Sequence, residues 1–247
     1  MMKIFTTLLF FLMGVNGSFG KDPALSLFEA GNIAFQDGRF GQATTNYQAH
    51  IDKGIVSAPL HYNLATAAFY NDQLGLAIFH YRQARLLSPR DENTRHNLKL
   101  ARDEVHNGSP PKPGLWQSLT GFLTLNEWTL LASLPLVIWL IWLTAINLKP
   151  AWKKRGAIIR PLLGATAIIL SLITTFTWYQ RSTDNWAVIN GETVARFGPV
   201  KASPDQFKWF DGTEVEIDRI RGNWLLARDI TGRQGWVHSE AVFRPGS

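Results

Sequence analysis

Two uncharged apolar stretches, Trp128–Leu148 and Pro161–Tyr179, flank a twelve-residue loop carrying five of the chain's 25 Lys and Arg residues. At helical rise, stretches of 21 and 19 residues extend roughly 28–31 Å, the depth of a bilayer's hydrocarbon core. The loop's basic residues are Lys149, Lys153, Lys154, Arg155 and Arg160, whereas Lys112–Glu127 and Gln180–Ala195 hold one each, Lys112 and Arg181. That asymmetry predicts a transmembrane hairpin with a cytoplasmic loop and both flanking regions outside. Two buried helices of a soluble protein would instead need apolar cover on every side. The amino terminus points the same way. Lys3, the apolar run Ile4–Val15 and the small residues Ser18 and Gly20 have the layout of a secretory signal suited to cleavage before Lys21; cleaved or not, the following segment is expected to be exported.

The pI near 9.7 and net charge of +6 invite a nucleic-acid reading, but the charge is local. Residues 21–113 carry ten basic and nine acidic groups, and residues 181–247 carry nine of each. With the surplus in the hairpin loop, the charge is a topology signal, and no nucleic-acid partner is expected. The chain has no cysteine, which excludes disulfides, a lipoprotein anchor, thiol chemistry and Cys-ligated zinc.

Between 24 and 106 the sequence repeats every 34 residues. Ala30, Leu64 and Leu98 fall in register, as do Gly31 and Ala65, Phe35 and Phe69, Phe40 and Leu74, Ala43 and Ala77, and Tyr47 and Tyr81. Asp22-Pro23 offers a helix start, Asp37-Gly38 a break, Ser57-Ala58-Pro59 a second start, and Pro89 a stop. A final polar helix is expected over Asp91–Val105. This register resembles the tetratricopeptide repeat, with a small residue at a helix crossing and an aromatic four residues after an alanine. The resemblance implies a concave groove for peptides or partner helices, lined by Phe28, Asn32 and Phe35 and then by Tyr62, Thr66, Phe69 and Tyr70. Phe35 and Phe69 serve equally well as inter-repeat core. Asn32 and Asn63 match positions that hold a carboxylate in some family members. Phe28 and Asn97 stand where basic residues are needed, which argues against a carboxylate ligand.

Residues 184–245 read as short strands punctuated by turns. Thr213–Ile217 alternates with Val215 and Ile217 on one face, Arg221-Gly222-Asn223 turns, Trp224–Asp229 returns, and Thr231-Gly232 turns again before Gln234–Val237. Thr193–Arg196 with Gly198-Pro199, Gly212-Thr213-Glu214-Val215, Gly222-Asn223-Trp224 and Gly232-Arg233-Gln234-Gly235-Trp236-Val237 resemble a bacterial SH3-like domain. Phe197 and Trp209 depart from its pattern. Trp224 and Trp236 are expected in the core or at the barrel lip. Domains of this family touch peptidoglycan or envelope peptides.

No site chemistry emerges. His50, His61, His80, His96, His106 and His238 form no HExxH or paired-ligand spacing, and the five on the helices are expected on polar faces. There is no phosphate-binding glycine loop, nucleophile elbow or thiol, so no catalytic residue, metal or cofactor is expected. Asn107–Gly114 reads as a stiff linker, after which Trp116, Phe122 and Trp128 suit a membrane interface.

The expected fold class is therefore a multidomain membrane protein. It orders a signal peptide (1–20), an α-helical tetratricopeptide array (21–106), a linker with an interfacial segment (107–126) and a first transmembrane helix (127–148). A basic cytoplasmic loop (149–160), a second transmembrane helix (161–180) and a small all-β SH3-like barrel (184–245) complete it. That order resembles the BatE family, the E proteins of bacterial Bat (aerotolerance) operons. The resemblance implies a non-enzymatic scaffold in the cytoplasmic (inner) membrane with its repeats and SH3-like domain in the periplasm. Its implied partners are von Willebrand factor A-domain membrane proteins and a MoxR-type ATPase system, besides the lipid bilayer. The alternative is a sensor that binds the peptidoglycan cell wall through the SH3-like domain.

Overall fold

The computed structural model describes residues 23–106, 114–115, 120–148, 158–183 and 185–245. The expected signal peptide, most of the stiff linker and most of the basic loop lie outside these residues. The chain divides into two compact units, Met1–Ile55 and Val56–Ser247.

In the first unit, α1 (Pro23–Gln36) and α2 (Phe40–Ile51) pack as a pair, broken at Asp37-Gly38 as the sequence suggests. Tyr47 is the centre of this packing: its ring is buried, and its hydroxyl donates to Asn32 Oδ1 at 2.7 Å.

The second unit opens with α3 (Ala58–Tyr70), α4 (Leu74–Leu87) and α5 (Glu92–His106). Ser57 caps α3, its Oγ accepting from Leu60 N at 3.3 Å, and Asp91 caps α5 through Thr94 N at 2.8 Å. Thirty-four residues after the Tyr47–Asn32 bond, Tyr81 donates its hydroxyl to Thr66 Oγ1 at 3.0 Å. The sequence period is thus also a period of hydrogen bonds.

Helices α6 (Leu125–Leu148) and α7 (Ile159–Thr183) contain spans of 22 and 24 residues, each long and apolar enough to cross a membrane. Helix α6 begins earlier than its apolar run because Thr124 and Glu127 form a reciprocal cap: Thr124 N donates to Glu127 Oε2 at 2.8 Å and Glu127 N to Thr124 Oγ1 at 3.2 Å. Trp128 Nε1 donates to Thr120 O at 3.1 Å, and Phe122 is exposed. The small residues Gly164, Ala167 and Ser171 are spaced for one helical face, but only Gly164 and Ala167 are buried; Ser171 is exposed. A Cβ on Gly164 would sit 3.0 Å from the Trp139 ring. Gly164→Leu should therefore force α6 and α7 apart and destabilise the detergent-solubilised chain by about 1–3 kcal/mol. An unchanged melting temperature would contradict this packing.

Seven antiparallel strands follow: β1 (Trp186–Ile189), β2 (Thr193–Arg196), β3 (Asp205–Trp209), β4 (Glu214–Arg221), β5 (Trp224–Asp229), β6 (Gln234–His238) and β7 (Val242–Phe243). They are ordered β3-β2-β6-β5-β4-β1-β7. Trp209, a departure from the expected family pattern, is fully buried and donates its indole N–H to Asp229 at 2.9 Å. Asp229 also accepts from Thr231 N and Arg233 N, at 2.9 and 3.1 Å, and so fixes the turn that contains Gly232. Phe197, the other departure, is exposed, Trp224 is half-buried and Trp236 is buried. The expected alternation over Thr213–Ile217 fails at its start. Thr213, Glu214 and Val215 are all buried, because the strand's second face is also covered.

Candidate functional site

Strand β1 belongs to two cores at once. Its sequence, Trp-Ala-Val-Ile, is apolar throughout, and all four residues are buried. Ala187 and Ile189 join Trp209, Val215, Leu225 and Val237 inside the sheet. Trp186 and Val188 point the other way and join Ala65, Ala68, Ile78, Tyr81 and Leu98 of the helices. Alternation along the strand thus sends successive side chains into different cores. Phe79 of α4 lies 5.5 Å from the Trp186 ring and 5.8 Å from Phe243 of β7.

A polar clamp rims this junction. Glu214 accepts two hydrogen bonds from Arg102, Nε to Oε1 at 2.6 Å and Nη2 to Oε2 at 2.8 Å, and one from Arg82 Nη1 at 2.5 Å. The three side chains are only 5, 16 and 13 % exposed for Glu214, Arg82 and Arg102. Burial pushes the Glu214 carboxyl up, but the two guanidiniums outweigh that and hold it below the usual carboxylate range. The Arg82 guanidinium also stacks 3.7 Å over the Trp186 ring. Burial, with Arg102 and Arg82 nearby, lowers Arg85 to about 10.

The sheet also caps a helix. Gln73, at the N-cap of α4, provides no side-chain cap bond. Asp211 supplies one instead, accepting from Gly75 N at 3.0 Å while its other oxygen accepts from Gly191 N at 2.7 Å. The approach is close enough to require glycine. A Cβ at position 75 would lie 2.3 Å from Ile189 O, and one at Gly212 would lie 2.6 Å from Val105 Cγ2.

The expected partner-binding residues are distributed as follows. In the first unit, Phe28 lies 5.8 Å from the Tyr47 ring, Asn32 accepts the Tyr47 hydroxyl, and Phe35 meets Phe40 edge-on at 5.3 Å. In the second, Tyr62 accepts from Asn97 Nδ2 at 3.0 Å and packs edge-on against Tyr81 at 5.8 Å. Thr66 accepts from Tyr81 and donates to Tyr62 O at 2.8 Å. Phe69 packs against the helical core. Tyr70, 59 % exposed, turns most of its ring outward.

The histidines correct one expectation. His50, His61 and His80 do not lie on polar faces; they are buried. His61 Nδ1 and His80 Nδ1 are 2.9 Å apart and their rings stack at 5.1 Å, so one nitrogen donates and the other accepts. Among the described residues no group of three or more His, Asp or Glu is placed to hold a metal ion. Burial lowers both histidines, and His80, also facing His61, falls to about 3. The unfolded chain, with His near 6.5, binds more protons than the folded one between about pH 6.5 and 3. Stability contributed by the neutral pair is thus full above that window and falls as pH drops, by roughly 1.4 kcal/mol per pH unit. Chemical denaturation of the solubilised chain at pH 7.5 and 5.0 should differ by about 2 kcal/mol, and His61→Leu with His80→Leu should flatten the dependence. An equal slope in the double variant would remove the pair as its cause.

Residues 190–243 match the family model of the bacterial SH3 domain. This stretch holds β2 to β7, so the carboxy-terminal sheet is a bacterial SH3 domain, preceded in the chain by two helices apolar enough for membrane association. No curated protein matches the chain. The match begins just after β1, the strand that the helices share. Trp186, Val188, Asp211 and Glu214 were not foreseen as junction residues. The one local signal was the unbroken apolar run at 186–189, unlike a strand with one wet face.

Proposed function

We propose that the chain is a non-enzymatic, membrane-anchored adaptor of the bacterial envelope that presents helices α3 to α5 and its SH3 domain as one binding body. The shared strand β1 carries this reading. A domain whose first strand completes the core of the helices beside it keeps a fixed orientation to them, as a scaffold requires. Bacterial SH3 domains bind peptidoglycan or proteins, and either ligand suits an exported domain. The 34-residue register, repeated in the Tyr47–Asn32 and Tyr81–Thr66 bonds, supports a tetratricopeptide-type array. The five-to-one charge bias around the apolar helices supports an inner-membrane hairpin with both domains in the periplasm. In that setting the order of modules favours a Bat-type complex with von Willebrand factor A-domain proteins and a MoxR-type ATPase. A wall sensor is the second reading, favoured by the SH3 match itself and by the exposed Phe197 and Phe210.

Affinity capture from solubilised membranes separates the two. Co-purified membrane proteins support the adaptor; retained muropeptides without protein partners support the sensor. Tyr70, which is exposed while Tyr62 and Thr66 are engaged internally, is the informative ring to truncate. Tyr70→Ala should weaken capture about tenfold or more without loss of helicity. Undiminished capture would move the binding surface off this face of α3.

A further inference from the structure

Where the end of α4, the ends of the two apolar helices and the sheet meet, the surface opens into a cleft of about 480 Å³. Its apolar wall is Leu86, Leu87, Leu125, Trp186 and Pro245, and its one charged lining residue among the described residues is Arg181. Thr124 and Asn126 also line it.

We propose that this cleft holds the headgroup end of an anionic phospholipid drawn from the adjoining leaflet, its phosphate on Arg181 and its first methylenes on the leucine wall. The inference rests on the membrane-hairpin reading above. Position argues for it first. Leu125 is the first residue of one span, and Arg181 lies in the last turn of the other, so the cleft opens at headgroup depth. There lipid is the most abundant amphiphile.

Shape argues second. Leu86 and Leu87 are 39 and 44 % exposed at the end of α4, an apolar surface beside a cation. The volume is that of a small-ligand site, suited to a phosphate, its glycerol and short stretches of chain.

Charge argues third. Among the described residues, Glu127 is matched by Arg90, and Glu214 by Arg82 and Arg102. Arg85, just before Leu86, adds a further cation to that group. Arg181 Nη2 donates to Leu123 O at 3.0 Å, which holds the guanidinium in place with most of its five donors outside that bond. Arg181 thus places a cation on the cleft wall, and an anion complements it.

The full chain is purified in mild detergent, reconstituted in phosphatidylcholine nanodiscs, and titrated with phosphatidylglycerol while the melting temperature and lipid retention by native mass spectrometry are read. Saturable retention and a rise in melting temperature are expected for phosphatidylglycerol. Arg181→Gln should weaken that affinity about tenfold or more, and Arg181→Lys should restore most of it. Equal responses to phosphatidylcholine and phosphatidylglycerol, or an unchanged response in Arg181→Gln, would overturn the proposal. So would an equal response to free glycerol phosphate, which would make the occupant a soluble anion. If Arg181→Gln fails to fold, the charge-keeping Lys variant alone decides, since loss of its response contradicts phosphate binding. Extraction of the chain by carbonate from native membranes tests the hairpin separately: a chain that washes off refutes the spans, whatever lipid it binds.

Discussion

Glu214→Ala is expected to destabilise the chain by about 3–5 kcal/mol, the effect of removing one partner of a buried ion cluster. The loss arises less from the missing attraction than from Arg82 and Arg102, left nearly buried without their shared carboxylate. The SH3 core is formed by other residues, so the domain should stay folded while its attachment loosens. Protease sensitivity should appear between α7 and β1 before the sheet itself is cut. Replacing all three residues by apolar ones (Glu214→Leu, Arg82→Met, Arg102→Met) should recover much of the loss, because neither Arg82 nor Arg102 is then left buried without its carboxylate. The sign with pH follows from the lowered Glu214 carboxyl. Its contribution is full above the ordinary carboxylate range and fades as pH falls through the lower folded value. A single variant that melts with the wild type would show that the cluster holds nothing together.

Trp209→Ala is expected to unfold the SH3 domain. Truncating a fully buried tryptophan typically costs 3–5 kcal/mol, a large share of the roughly 5–15 kcal/mol that stabilises a domain. It also deprives Asp229 of an indole donor, weakening the carboxylate that organises the 229–233 turn. Trp209→Phe keeps most of the ring and removes only that donor, so it should cost about 1–3 kcal/mol. Near-UV circular dichroism and urea denaturation read both. A native spectrum in Trp209→Ala would contradict the central place given to this residue.

Features with local causes were legible in the sequence. The apolar helices follow from length and charge, the helix starts from Ser57 and Asp91, and the turns from Gly222 and Gly232. The junction was not legible, because its causes are distant. Arg82 and Glu214 are 132 positions apart, and Arg102 and Glu214 are 112 apart. No periodicity within one element encodes such a pair. It surfaced only as local rules failing: β1 does not alternate, and a glutamate is buried at the start of β4. The histidines went the same way. His61 and His80 look like ordinary polar positions until the fold brings their Nδ1 atoms within 2.9 Å. Trp209 read as a departure from a family pattern, yet the sheet closes around it.

Helices α3 to α5 and the SH3 domain form one body through β1. Because the chain has no native cysteine, two spin labels can be placed without background, at Lys99→Cys on α5 and Ile220→Cys on β4, both exposed. Double electron–electron resonance on the full chain in nanodiscs should give a single narrow distance distribution that broadens in the Glu214→Ala background. A broad or multimodal distribution in the otherwise unaltered chain would contradict the claim, because a domain that shares its first strand with the helices cannot wander from them.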